Sequence, residues 1–164
     1  MKYLAFTLLS AISLSGCMTQ NYKLYEGNDL PNNEVATITA SYNETHEKLA
    51  LKELGSSEDF RQPMLEFVNK KGGPNGSGFG MQYAYNNSWN GEYMIKLKPG
   101  KHSFIVSPNH MWVGKYRTRK TLEANLEAGH EYFIGQVMYI KGTSSYDWKA
   151  LLIDKTNNEI IQVK

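Results

Sequence analysis

Tyr93-Met94-Ile95-Lys96-Leu97-Lys98-Pro99-Gly100-Lys101-His102-Ser103-Phe104-Ile105-Val106 is the stretch on which the fold turns. Two runs suited to extended backbone flank Lys98-Pro99-Gly100-Lys101. Proline presets φ for the second position of a type II turn, and glycine accepts the positive φ of the third. The spacing therefore predicts a hairpin. The same grammar recurs downstream. Thr121-Leu122-Glu123-Ala124-Asn125-Leu126 alternates with period two, turns at Ala128-Gly129 and returns as Tyr132 to Ile140. Such alternation sends successive side chains to opposite faces of a sheet. A last hairpin is expected between Lys149-Ala150-Leu151-Leu152-Ile153 and Ile160-Ile161-Gln162-Val163, across Asp154 to Asn158.

Upstream the pattern is less regular. Gly27, Asn28, Asp29 and Pro31 mark a turn. From Val35 a strand is expected, with Ala36, Ile38, Ala40 and Tyr42 on one face. Residues 43–55 mix helix formers with an alternation of Leu49 and Leu51. The β character of both flanks favours a strand there. Pro63 to Val68 reads as another short strand or edge, and the glycine-rich Gly72 to Gly80 as an exposed loop. Short strands with regular turn signals predict an all-β protein. The expected architecture is a single antiparallel β-sandwich over residues 24–164, immunoglobulin- or transthyretin-like in general plan. No long amphipathic helix and no internal repeat is expected.

The formal charge is +2 at pH 7. That near-neutral balance excludes a general nucleic-acid binder, which needs a marked basic excess. The 11 tyrosines and 3 tryptophans suit pleated, half-buried faces. Cys17 is the only cysteine, so no internal disulfide can form and the core must hold the domain.

The N-terminus pairs one charge, Lys2, with the uncharged run Leu4 to Leu14. Eleven helical residues rise only about 16 Å, against the ~20 residues a bilayer core requires. The run is too short to span and matches the h-region of a signal peptide. It leads into Leu14-Ser15-Gly16-Cys17, which resembles the lipobox of bacterial lipoproteins. The resemblance implies cleavage between Gly16 and Cys17 and a diacylglycerol on the Cys17 thiol. Residues 1–16 would then be the leader, 17–23 a lipidated tether and 24–164 the sandwich. Two or more acyl chains anchor stably where one does so only marginally. In such lipoproteins an Asp after the cysteine favours the inner membrane. Met18 stands there instead, which implies the outer membrane, facing the periplasm.

Three further motifs occur in order: Leu24-Tyr25-Glu26-Gly27 with Leu30-Pro31 and Val35-Ala36, then Leu97-Lys98-Pro99-Gly100-Lys101-His102, then Glu127-Ala128-Gly129-His130-Glu131-Tyr132. Together they resemble a group of small uncharacterised envelope lipoproteins of gram-negative bacteria. The group implies a β-sandwich at the cell envelope and no particular activity. The glycine-rich segment near residues 72–80 departs from it.

His46, His102, His110 and His130 lack the spacing of a zinc helix, and no metal or cofactor is expected. Ser77 lies in the glycine loop, outside the strand-to-helix elbow a serine nucleophile needs. Lys115, Arg117 and Arg119 would share one face of a strand and could meet anionic lipid or acidic glycan, or else form a solvated face. Tyr83, Tyr85, Trp89 and Tyr93 surround the Gly/Asn-rich region and suit stacking on a sugar ring or a partner, or else fill the core. The function expected is that of a non-enzymatic binding or structural module anchored through its lipid. The expected partner is peptidoglycan, a glycan or another envelope protein. The alternatives are a wall or glycan hydrolase with His102 or His130 as base, and an accessory subunit of a secretion or surface-assembly system.

Overall fold

A computed structural model describes residues 20–54, 59–73, 78–79, 93–108, 118–141 and 145–164. Among them are eleven strands: β1 (Gln20–Lys23), β2 (Ala36–Thr39), β3 (Asp59–Arg61), β4 (Met64–Val68), β5 (Lys71–Gly72), β6 (Tyr93–Leu97), β7 (Gly100–Ser107), β8 (Lys120–Leu126), β9 (Glu131–Lys141), β10 (Ser145–Asp154) and β11 (Glu159–Val163). One sheet runs β1-β6-β2-β9-β10-β11, with β3 also on β9. The other runs β5-β4-β7-β8. The molecule is the expected all-β, two-sheet sandwich. Most neighbours are antiparallel, but β1 with β6 and β2 with β9 run parallel.

The Pro99-Gly100 turn reverses the chain without making a hairpin. β6 pairs β1 and β2 in the first sheet, whereas β7 pairs β4 and β8 in the second. The turn is an arch between layers, with Gly100 at φ +126°. The Ala128-Gly129 turn is a second arch, from β8 across to β9. Only the third expected hairpin forms as such, β10 with β11, where Asp154 faces Glu159. Its two strands continue through reciprocal bonds between the backbones of Ala150 and Lys164, each 2.9 Å.

Residues Glu44–Leu54 form helix α1, not a strand. Asn43 caps it: its Oδ1 accepts the N–H groups of Thr45 (3.0 Å) and His46 (3.2 Å). His46 Nδ1 accepts the Asn43 N–H in return, at 3.3 Å. This is a capping box with imidazole in the place usually held by Glu or Gln. The helix covers the outer face of the first sheet, where Ala50 meets Phe60, Phe133, Val137, Leu151 and Ile153. Tyr42 leaves the face expected for it and joins this outer side, its ring 5.0 Å from those of Phe60 and Phe133.

The main core lies between the sheets. Ile38, Tyr93, Ile95 and Leu97 meet Leu65, Phe104, Val106 and Leu122 there, with Tyr132, Ile134, Trp148 and Leu152. On one side of the sandwich the edge strands β8 and β11 meet, where the Glu123 N–H donates to Gln162 Oε1 at 2.6 Å. On the other, Tyr22 of β1 sets its ring edge-on to Phe79, at 5.0 Å. The register also fixes relative reach. Gln20 faces Tyr93, the Ala40 N–H donates to the Tyr93 carbonyl, and Thr39 faces Phe133. The start of β1 is therefore level with Ile134, and β9 continues beyond it through Gly135 to Lys141.

Candidate functional site

The densest polar arrangement is built from turns far apart in sequence. Asp154 ends β10 and is only 2% exposed. Its Oδ1 accepts the backbone N–H of Thr156 (2.8 Å) and of Asn157 (3.2 Å), closing the β10–β11 turn. Its Oδ2 accepts the Asn157 amide (3.3 Å) and His130 Nδ1 (2.7 Å). His130 arrives from the β8–β9 arch directly after Gly129, whose φ is +78°. Its ring stacks on Tyr132, and its Nε2 lies 3.5 Å from Glu127 Oε2. The hydrogen bond to Asp154, reinforced by the surrounding carboxylates, raises its pKa above the ordinary histidine value.

The next residue extends the network. The Glu131 carboxylate pairs with the Lys155 ammonium and accepts the Thr39 hydroxyl at 3.0 Å. Lys155 Nζ also donates to Thr39 Oγ1 (3.1 Å) and Ser41 Oγ (3.4 Å). Backbone bonds lock the same turn: Lys155 N–H to the Glu131 carbonyl (2.8 Å) and Glu131 N–H to Thr156 Oγ1 (3.0 Å). Burial alone would raise the Glu131 carboxyl, but the hydrogen bond and charge of Lys155 hold it below the usual carboxylate range. His46, buried in the first turn of α1, is shifted down by burial and then by the charge of Lys155.

Chemically the arrangement holds charge in place. A general base needs a nitrogen free to take a proton. Both ring nitrogens of His130 face carboxylates, which favours the imidazolium. The His130–Asp154 pair has the geometry of two members of a hydrolytic triad, but the Nε2 side faces Glu127 where a nucleophile would stand.

Of the residues singled out from the sequence, Gly16, Cys17, Ser77, Tyr83, Tyr85, Trp89, His110, Lys115 and Arg117 lie outside the described residues. Tyr93 is 1% exposed in the main core, so it is no surface contact for a sugar or partner; burial pushes its phenol up. Arg119 is exposed and engaged within the chain, its Nε 2.8 Å from Glu66 Oε2 and its guanidinium over Phe67. His102 is bound into the β6–β7 arch: its Nδ1 accepts Asn69 Nδ2 and its Nε2 donates to the Lys98 carbonyl, both at 2.7 Å. That leaves it no free nitrogen to act as a base. Thr39, Glu131, Asp154 and Lys155 carry no site signal in the sequence. The Asp154-Lys155-Thr156-Asn157 turn was legible, but its partners come from other turns.

Among the described residues, no group of three or more His, Cys, Asp or Glu is arranged to hold a metal ion, and no helix is long and apolar enough to cross a membrane. Comparison with protein-family models, curated proteins and solved structures finds no match.

Proposed function

We propose that this chain is a lipid-anchored envelope protein, a β-sandwich tethered through Cys17 that serves as a binding or structural module. The observation that carries the reading is Leu14-Ser15-Gly16-Cys17 behind Lys2 and an uncharged run, three residues before the first strand. Met18 favours the outer membrane and its periplasmic face. The internal engagement of His102, His130 and Asp154 supports a module that binds without chemistry. Peptidoglycan, a membrane-linked glycan or a second envelope protein is the fitting partner class.

Growth with labelled palmitate tests the anchor. The label is expected on the wild-type protein and absent from Cys17→Ala, which should leave the membrane fraction. An unlabelled wild-type protein retaining Met1 to Gly16 would refute the reading. One second reading, a wall hydrolase, starts from the triad-like spacing of His130 and Asp154. Incubating the lipidated protein with purified peptidoglycan should release no soluble fragments. Release that disappears in His130→Ala would put the hydrolase first.

A further inference from the structure

We propose that the lysines of two neighbouring chain reversals, Lys70 and Lys71 in the β4–β5 turn and Lys98 and Lys101 in the β6–β7 arch, form a contact surface for anionic lipid headgroups. This goes beyond the anchored reading above and does not depend on it, because all four residues belong to the folded domain.

The two reversals are fastened to each other. The Asn69 N–H donates to the Ser103 carbonyl at 2.8 Å, and Asn69 Oδ1 accepts the Ser103 N–H at 2.9 Å. Asn69 Nδ2 donates to His102 Nδ1, and His102 Nε2 donates to the Lys98 carbonyl, both at 2.7 Å. Lys70 follows Asn69, Lys71 follows Lys70, and Lys101 precedes His102, so each ammonium hangs from backbone that this network holds. The β4–β5 loop has two residues, with Val68 facing Lys71, and both take positive φ: Asn69 at 50° and Lys70 at 65°. Asparagine followed by glycine is the pair such loops favour. Lysine in the second place meets the steric cost that glycine avoids, and what it adds there is a charge at the tip.

All four lysines are exposed. Among the described residues, Lys70, Lys71 and Lys98 form no ion pair. Lys101 reaches Glu123 only at 3.9 Å, between side chains 79% and 55% exposed, a pairing of little strength in water. Other cations of the domain are engaged: Lys23 with Asp29 at 3.1 Å, Lys96 with Asn32 Oδ1 at 2.9 Å and Arg119 with Glu66 at 2.8 Å. The groups beside the four lysines that could read a particular anion are the amide of Asn69, the ring of His102 and the backbone of Ser103. Bonds between the two reversals already occupy them. What remains is charge spread over two loop tips, without directional donors. A single phosphate asks for N–H groups that converge on it. A fluid sheet of negative headgroups does not, since each lysine at its surface contributes by charge alone.

The full-length protein, as its host processes it, is reconstituted with phosphatidylcholine vesicles, with or without phosphatidylglycerol. A neutral acetylating reagent is added, and the modified lysines are read by mass spectrometry. Lys70, Lys71, Lys98 and Lys101 are expected to react several-fold more slowly when phosphatidylglycerol is present, while the exposed Lys48 and Lys52 of α1 keep their rates. About 1 M salt, which screens charge beyond ~3 Å, should erase the difference. A variant with Lys70→Gly and Lys71→Gln keeps a residue suited to positive φ, and matching circular dichroism checks its fold. Each lost cation should weaken the contact about fivefold, so Lys98 and Lys101 should lose their protection in that variant. Equal rates with the two lipids, or slowing that includes Lys48 and Lys52, would overturn the proposal. So would protection by soluble peptidoglycan fragments with none from phosphatidylglycerol, which would assign the lysines to a wall polymer. Flotation keeps the two readings apart: protein that floats with phosphatidylglycerol and not with phosphatidylcholine alone overturns the anchor and supports the patch.

Discussion

Asp154 shows how much one side chain fixes. A buried carboxylate is costly unless hydrogen bonds replace its water. Here four donors do so, three from its own turn and one from His130. Asp154→Asn keeps the shape but removes the charge opposite His130. The expected loss is about 2–3 kcal/mol of folding stability, read from urea denaturation. The linked histidines should set opposite pH limits. His130 has a raised pKa, so its contribution is complete below about 6.5 and fades as pH climbs through the higher folded value. His46 has a lowered pKa, so its contribution is complete above about 6.5 and fades as pH falls through the lower folded value. Denaturation midpoints measured from pH 4 to 9 should lose their alkaline decline in His130→Gln and part of their acid decline in His46→Gln. The turn made by Asp154 was readable, since Asp followed by Thr and Asn favours that geometry. Its tie to His130 was not, because it depends on two turns meeting at one end of the sandwich.

At the scale of elements, local chemistry specified where the chain reverses and left open where it goes next. Pro99-Gly100 and Ala128-Gly129 both reverse it, yet each delivers the next strand to the opposite sheet. A type II turn places its third residue near φ +80°, whereas Gly100 sits at +126°. A Cβ built on Gly100 meets nothing within 4 Å, so Gly100→Ala is strained by backbone alone. A cost of about 1–3 kcal/mol is expected in thermal unfolding. Gly135→Ala should fail for the other reason, since its Cβ would stand 2.7 Å from the Phe60 ring. Adding Phe60→Leu is expected to recover part of the loss in Gly135→Ala and none in Gly100→Ala. The helix α1 is hidden in the sequence because Leu49 and Leu51 alternate as a strand would, while its cap uses His46 in place of the usual Glu or Gln. Asn43 followed three positions later by a side-chain acceptor was the available sign.

Over the whole molecule, β9 and β10 belong to two cores at once. Tyr132, Ile134, Trp148 and Leu152 face the space between the sheets, whereas Phe133, Val137, Leu151 and Ile153 face α1. Melting either core frees strands that the other requires. Unfolding should therefore be one transition, with far-ultraviolet and aromatic circular dichroism superimposing across a urea series. Ala50→Asp, a charge set under the helix, should move both signals together and by several kcal/mol. Separate midpoints would show that the helix layer melts alone. The two-layer plan was legible because strands such as β8 sort apolar and polar residues cleanly by period two. The sheet to which each strand belongs was not, because both sheets ask for the same pattern.

The bond from Glu123 to Gln162 has a consequence for molecules crowded together. An outermost strand offers unpaired amides that can recruit a strand from a neighbour and seed fibrils. Here one glutamine satisfies the midpoint amide from within the same molecule, so β8 makes a poor template for stacking copies. Copies packed at high concentration then meet a border strand already engaged at its centre.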